Sequence, residues 1–428
     1  MVHRAQATAR RVKSHRAAAS RAGLSDKAFR RPVRGWITRA FYSVKEFVHV
    51  VNMVMEGLVP AHAARVAERQ ASAYEALPWQ APVGQSGSIW ETAMSYQGRK
   101  VVVTGADGFI GSHVVEALVD AGADVTALAL YNSFDSFGWI DDLAPSVKAS
   151  VRAIRGDVRD ASFVLRLLKG QDVCMHLAAL IAIPHSYDAP QSYIDVNVSG
   201  TLNVLEAARA HGLSRIVHTS TSEVYGTALT TPMDEAHPLQ GQSPYSASKI
   251  GADMMAEAYA RSFGLPVVIL RPFNTFGPRQ SERAVLASTI RQAIDPACAE
   301  IKVGDLTTER DFTFVRDTAA AFLAVGAADS LAYGDTYNGG TGRAVTIGAA
   351  VEAIVRLAGS NKPVVSEAAR LRPAASEVRA LLADNGKLAA ATGWQPGHTL
   401  EQGLEATVLW WRERIGMGRA RKESGYVT

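Results

Sequence analysis

The chain has 428 residues, 47% of them hydrophobic, and only two cysteines, Cys174 and Cys298, which allows a sizeable core and excludes a disulfide framework or a thiolate metal site. Charge is unevenly placed: residues 1–94 hold 14 Lys+Arg against 6 Asp+Glu, and the remainder 31 against 35. The basicity belongs to the front of the chain, so no nucleic-acid partner is expected for the main body.

The first 34 residues carry ten Lys/Arg and a single acid, Asp26. Residues 1–94 are expected to form a basic N-terminal extension, either a solvated, disordered tail or a targeting or partner-facing arm. Trp36, Ala40, Phe41, Val44, Phe47, Val48 and Val51 share one helical face, and Pro78, Pro82, Gly84 and Gly87 read as a linker. Translation from Met94 is an alternative reading. No apolar run reaches the roughly 18–20 residues needed to span a bilayer, no His/Asp cluster suggests a metal, and a cytoplasmic location is expected.

The pattern changes at Arg99. Lys100 to Thr104 (KVVVT) predicts a buried strand, Gly105-Ala-Asp-Gly108-Phe109-Ile110-Gly111 a glycine-rich turn, and an apolar helix follows before a second strand, Val125 to Leu130. Gly105 permits the tight turn, Gly108 lets backbone approach a pyrophosphate at the helix N-terminus, and Gly111 lets helix and strand pack closely. An acid usually ends the second strand to hold the adenosine ribose. Here Tyr131 stands there, with Asp135 a little further on and no Arg adjacent. NAD is the expected cofactor, with NADP left open.

Strand and helix then alternate. Val151 to Ile154 leads into Asp157 and Val158, where Asp157 is placed to meet an adenine amine. Val173 to Leu177 leads into Ala178 and Ala179, small residues at a strand end that passes close to a ligand. A helix opens at Asn197, Ile216 and Val217 precede HTSTSEVYG (218–226), and Pro266 to Leu270 is the next strand. The alternation predicts an α/β fold, a Rossmann-like doubly wound parallel sheet with its crevice at the strands' carboxyl ends. Residues 95–275 are expected to bind the dinucleotide and 276–415 mainly the substrate, with 416–428 a tail.

Tyr245-Ser-Ala-Ser-Lys249 puts a phenol and an ammonium on one helical face. The cation is expected to lower the phenol's pKa toward the range of a general base. Thr221, Ser222 and Glu223 lie 24 to 22 residues earlier. Both Tyr245 and Lys249 are expected to touch cofactor as well as substrate.

TGADGFIG, TSTSEVYG, YSASK and RPFNTFGPR together resemble the extended short-chain dehydrogenase/reductase superfamily, specifically its NAD-dependent epimerases and dehydratases of nucleotide sugars. YNSFDSFGWIDD, SPYSASKIGADMMA and RLRPAASEVRALLADNGK are similar to the 4,6-dehydratases of the legionaminic acid pathway. The resemblance implies that Tyr245 takes the O4 proton, Thr221 holds that hydroxyl, Lys249 orients Tyr245, and Glu223 removes the C5 proton. Many relatives carry Asp at the place of Ser222, where it protonates the leaving O6. Serine is a poor acid, so that proton would come from Glu223 or a water.

By the same resemblance Asn274, Arg279, Arg310 and Arg372 face the nucleotide diphosphate, with Glu377 and Asp384 weaker candidates, and the chain forms a homodimer through helices starting near Asn197 and Tyr245. His176 and His185 are given no catalytic part. The implied activity is a 4,6-dehydratase of UDP- or GDP-N-acetylglucosamine. UDP-glucuronate decarboxylation, sugar epimerisation and a non-enzymatic dinucleotide sensor are the alternatives.

Overall fold

A computed structural model describes residues 96–370 and 379–420. The expected N-terminal extension, Arg372 and Glu377 lie outside the described residues.

Seven parallel strands form the main sheet, in the spatial order Thr336–Gly339, Val267–Pro272, Arg215–Thr219, Val173–His176, Lys100–Thr104, Asp124–Leu130, Val151–Gly156. Lys100–Thr104 pairs with both Val173–His176 and Asp124–Leu130, so the strand order reverses at that strand's carboxyl end. An open parallel sheet presents its ligand crevice at such a reversal. The predicted Rossmann-like fold is present. Its seventh strand and the helix Val315–Ala327 packed on it come from the segment expected to serve mainly the substrate.

Both faces of the sheet are covered, and for that reason its strands read as unbroken apolar runs. Val101 and Val103 point into one core with Val114, Leu118 and Phe322, whereas Val102 points into the other with Val204, Leu205 and Ile216. Tyr96 opens the described chain fully buried, its hydroxyl donating to Leu323 O at 2.8 Å.

A second, smaller sheet joins Ala344–Thr346, Glu309–Phe314 and Ala380–Leu381, with Asn274–Phe276 also pairing with Glu309–Phe314. The helices Val285–Ile294, Ile347–Ala358 and Leu400–Gly416 close a third core around Phe276, Phe314 and Trp411. No helix among the described residues is long and apolar enough to cross a membrane.

Candidate active site

The glycine turn follows from backbone geometry. Gly105 has φ +67, and a Cβ there would lie 2.8 Å from Ala178 N. A Cβ on Gly111 would lie 2.1 Å from Gly105 O, so helix and strand meet at a distance only glycine allows. Gly108 is the N-cap of the helix Phe109–Asp120. It brings no side-chain cap, and the first turn holds no acid. The helix N-terminus thus opens on a glycine cap with no acid in its first turn, and so fits a dinucleotide pyrophosphate. Phe109 and Ile110 begin that helix and pack against the third core. Leu177 and Ala178 lie across from Gly105, both amides donating to Thr104 Oγ1 at 3.2 and 3.1 Å, and Ala179 follows half-buried.

At the adenosine end, Tyr131 is exposed. Asp135 adopts φ +57 and pairs with Arg155 at 2.7 Å, and that guanidinium lies 3.9 Å over the Phe137 ring. Arg155 comes from the neighbouring strand Val151–Gly156, where it pairs with Ala129, and so is not adjacent to Tyr131 in sequence. Asp157 is already gripped by Arg159, whose Nε donates to both carboxylate oxygens at 3.0 Å. Val158 beneath it is buried.

HTSTSEVYG ends its strand at Thr219 and turns into a short 3₁₀ helix, Ser222–Tyr225. Thr221 caps that turn, its Oγ1 accepting from Glu223 N at 3.2 Å. Ser222 is buried, while Glu223 is half-buried. Gly226 ends the turn at φ +64, where a Cβ would strike Gln240 O at 2.6 Å.

The helix Pro244–Phe263 starts where it does because Ser243 and Ser246 form a capping box and Pro244 occupies its first turn. Tyr245 therefore sits in that turn and Lys249 one turn on, both buried. The Tyr193 ring packs edge-on to Tyr245 at 6.3 Å. Asn197, in a π-turn spanning Ile194–Ser199, donates to Ser248 Oγ at 2.9 Å and so braces the same helix. The α-helix expected to begin at Asn197 starts at Gly200 instead.

Electrostatics depart from expectation at Tyr245. Burial raises its phenol well above the usual value. A Thr221 hydrogen bond lowers it, while the charges of Glu223 and Asp253 and the nearby Tyr193 raise it further. Burial brings Lys249 down to about 8, with Asp253 pulling the other way, and Nζ donates to Thr219 O at 2.5 Å.

Arg279, expected near the nucleotide diphosphate, is buried against Glu116 of the glycine-turn helix at 2.7 and 2.8 Å and donates to Ser112 Oγ at 3.1 Å. A buried Arg held by a bidentate carboxylate locks that helix to the second half of the fold. Arg310 is also buried, on the central strand of the smaller sheet, with one nitrogen donating to Glu309 O at 2.9 Å. Asn274 stands on the adjacent strand, and its Oδ1 is buried without a protein hydrogen-bond donor. The structure thus gathers Thr221, Ser222, Glu223, Tyr245 and Lys249 at one strand end, near the glycine turn. Asn274 and Arg310 lie on adjoining strands of the smaller sheet.

The model of the family described as GDP-mannose 4,6 dehydratase matches residues 102–407. A dTDP-glucose 4,6-dehydratase from Actinoplanes sp. is 31% identical over 319 residues, covering 73% of this chain and 98% of the relative. Among solved structures, a double mutant of the dTDP-glucose 4,6-dehydratase DesIV from Streptomyces venezuelae, with NAD bound, superposes with a TM-score of 0.66 at 29% identity over 74% of this chain and 98% of that one. A UDP-glucose 4-epimerase from Thermotoga maritima gives 0.66 at 28% identity, covering 74% and 99%.

Proposed function

This chain belongs to the GDP-mannose 4,6-dehydratase family, and from that premise we propose that it is an NAD-dependent 4,6-dehydratase of a UDP- or GDP-linked N-acetylglucosamine. The observation that carries the reading is that Glu223 stands in the turn capped by Thr221, just past the strand Arg215–Thr219, where Lys249 Nζ from the helix of Tyr245 donates to Thr219 O at 2.5 Å. Exchange of configuration at C4 needs only the phenol, whereas removal of water across C5 and C6 also needs a carboxylate at C5.

Gly105, Gly108 and Gly111 would hold NAD, which would supply a hydride acceptor for C4 and, once reduced, a hydride donor for C6. The chain's own groups handle protons. Tyr245, once ionised, takes the O4 proton, with Thr221 fixing that hydroxyl and the Lys249 ammonium stabilising the phenolate. The resulting 4-keto group acidifies the C5 hydrogen, which Glu223 removes. Glu223 then holds that proton beside the leaving O6, and O6 departs as water. Ser222 has no acidic proton to give and serves to position the turn. Asn274 and Arg310 are proposed to hold the nucleotide diphosphate, and Arg372 is proposed to join them. The working form is proposed to be a cytoplasmic homodimer.

Ser222 favours a second reading. A decarboxylase acting on UDP-glucuronate loses carbon dioxide from C5 and needs no acid for O6. Incubation with UDP- and GDP-N-acetylglucosamine and with UDP-glucuronate, followed by product mass, separates the readings. A product lighter by one water is expected from the amino sugar. Loss of carbon dioxide from the glucuronate would replace dehydration, unchanged mass with a new C4 configuration would indicate epimerisation, and no turnover would favour a sensor.

A further inference from the structure

Behind the reacting pair lies a buried ionic cluster that the proposed proton transfers do not use. Asp253 stands one helical turn beyond Lys249 and is fully buried. Ser220 Oγ donates to its Oδ2 at 2.6 Å, and Arg271 donates to the same oxygen at 2.9 and 3.3 Å. His218 Nε2 lies 3.2 Å from Oδ1. Arg271 continues to the Tyr225 hydroxyl at 3.0 Å, which donates to Asn338 Oδ1 at 2.7 Å. Asn338 N in turn donates to Glu235 Oε1 at 2.7 Å.

We propose that Asp253 is a positioning residue for the Tyr245–Lys249 pair: its buried carboxylate holds Lys249 as the ammonium and, through Ser220, His218 and Arg271, ties the helix carrying that pair to the segment carrying Thr221 and Glu223. The inference rests on the reading of Tyr245 and Lys249 as the reacting pair.

Among the described residues, Asp253 is the carboxylate whose charge acts on Lys249. On its own helix Asp253 lies one turn beyond Lys249, on the same face, and its charge acts on both Lys249 and Tyr245. From the strand Arg215–Thr219 comes His218, and from Val267–Pro272 comes Arg271. His176, on the next strand over, lies 5.7 Å ring to ring from His218 and is occupied by Thr104 Oγ1 at 2.8 Å and Thr201 Oγ1 at 3.0 Å. Burial and the Lys249 charge hold both histidines below their ordinary range, so near neutrality they are uncharged. Arg271 is paired with this fully buried carboxylate, and Lys249 stands one helical turn from it, within reach of its charge. A charge buried without its counterion is expensive, and loss of the carboxylate makes the lysine give up its proton more readily.

The test titrates Lys249 directly, without substrate, in the full chain labelled with carbon-13 at lysine Cε. Its resonance is identified by disappearance in Lys249→Met. The wild-type signal is expected to titrate near 8. In Asp253→Asn it is expected at a pH about one unit lower or more, and Asp253→Glu is expected to restore it. Should the stranded Arg271 charge prevent Asp253→Asn from folding, Asp253→Asn/Arg271→Met removes both charges, and a Lys249 midpoint below that of Arg271→Met alone is expected. A Lys249 midpoint unchanged from wild type in the folded variant overturns the proposal. Turnover reads the other half: the alkaline limb of kcat moves down with the lysine midpoint, which a merely structural role would leave in place. If no nucleotide sugar is turned over, the dehydratase reading fails while the lysine titration still decides this one.

Discussion

Glu223 carries the distinction between dehydration and simpler chemistry at C4, so its replacement is the informative one at the scale of a residue. Glu223→Gln keeps the shape and the Thr221 contact to the backbone but removes the base. It is expected to bind NAD as the wild type does, to lose about 10²–10⁴-fold in turnover and to abolish exchange of the C5 hydrogen with deuterated solvent. Full exchange in that variant would remove Glu223 from the mechanism. Lys249 sets a pH dependence. Its working form is the ammonium and burial lowers it to about 8, so kcat is expected to fall as pH rises through about 8, and a flat profile to pH 9 would contradict this. The residues of this site were legible because each motif is local: Tyr245 and Lys249 share a helix, and Thr221 to Glu223 share a turn. Arg279 was not. Its ion-pair partner Glu116 is 163 residues away in sequence, and no local pattern records a pairing over that distance. Asp253 was also missed, although a carboxylate one turn beyond Lys249 on an otherwise apolar helix face was a signal within reach.

Two elements bring these residues together, and each has a weak point that can be struck. The glycine turn depends on close backbone contact. Gly111→Ala would push a methyl group to 2.1 Å from Gly105 O, parting helix from strand at a cost of roughly 1–3 kcal/mol. A lower unfolding midpoint together with weakened NAD binding by calorimetry is expected, and unchanged affinity would contradict the role given to the turn. The turn was readable because its glycines sit between an apolar strand and an apolar helix. The smaller sheet was not readable, since its strands are short and pair across wide gaps: Glu309–Phe314 with Ala380–Leu381, and with Asn274–Phe276. No local periodicity records such partners. Thr336–Gly339 escaped for the same reason, being four residues that join the edge of the main sheet.

At the scale of the whole molecule, the buried histidines tie stability to pH. Burial and Arg279 bring His113 from 6.5 to about 4, and burial lowers His176 and His218 as well. Between those two values the unfolded chain takes a proton that the folded His113 refuses. That contribution is therefore fully present above 6.5 and is lost as pH falls toward 4. Denaturant unfolding is expected to show about 2 kcal/mol less stability at pH 5 than at pH 7 from His113 alone, and equal stability would contradict it. The proposed homodimer has an apolar face available on the helix Pro244–Phe263, where Met254 is 41% exposed. Met254→Lys is expected to shift the mass measured by light scattering toward one chain. The central claim is that the hydrogen lost from C4 is the one gained at C6 while water leaves across C5 and C6. The direct measurement is turnover of UDP- or GDP-N-acetylglucosamine deuterated at C4, with the label located in the product by NMR. The account predicts a 4-keto product lighter by one water, with deuterium at C6. Deuterium found back at C4 of a sugar of unchanged mass would contradict it.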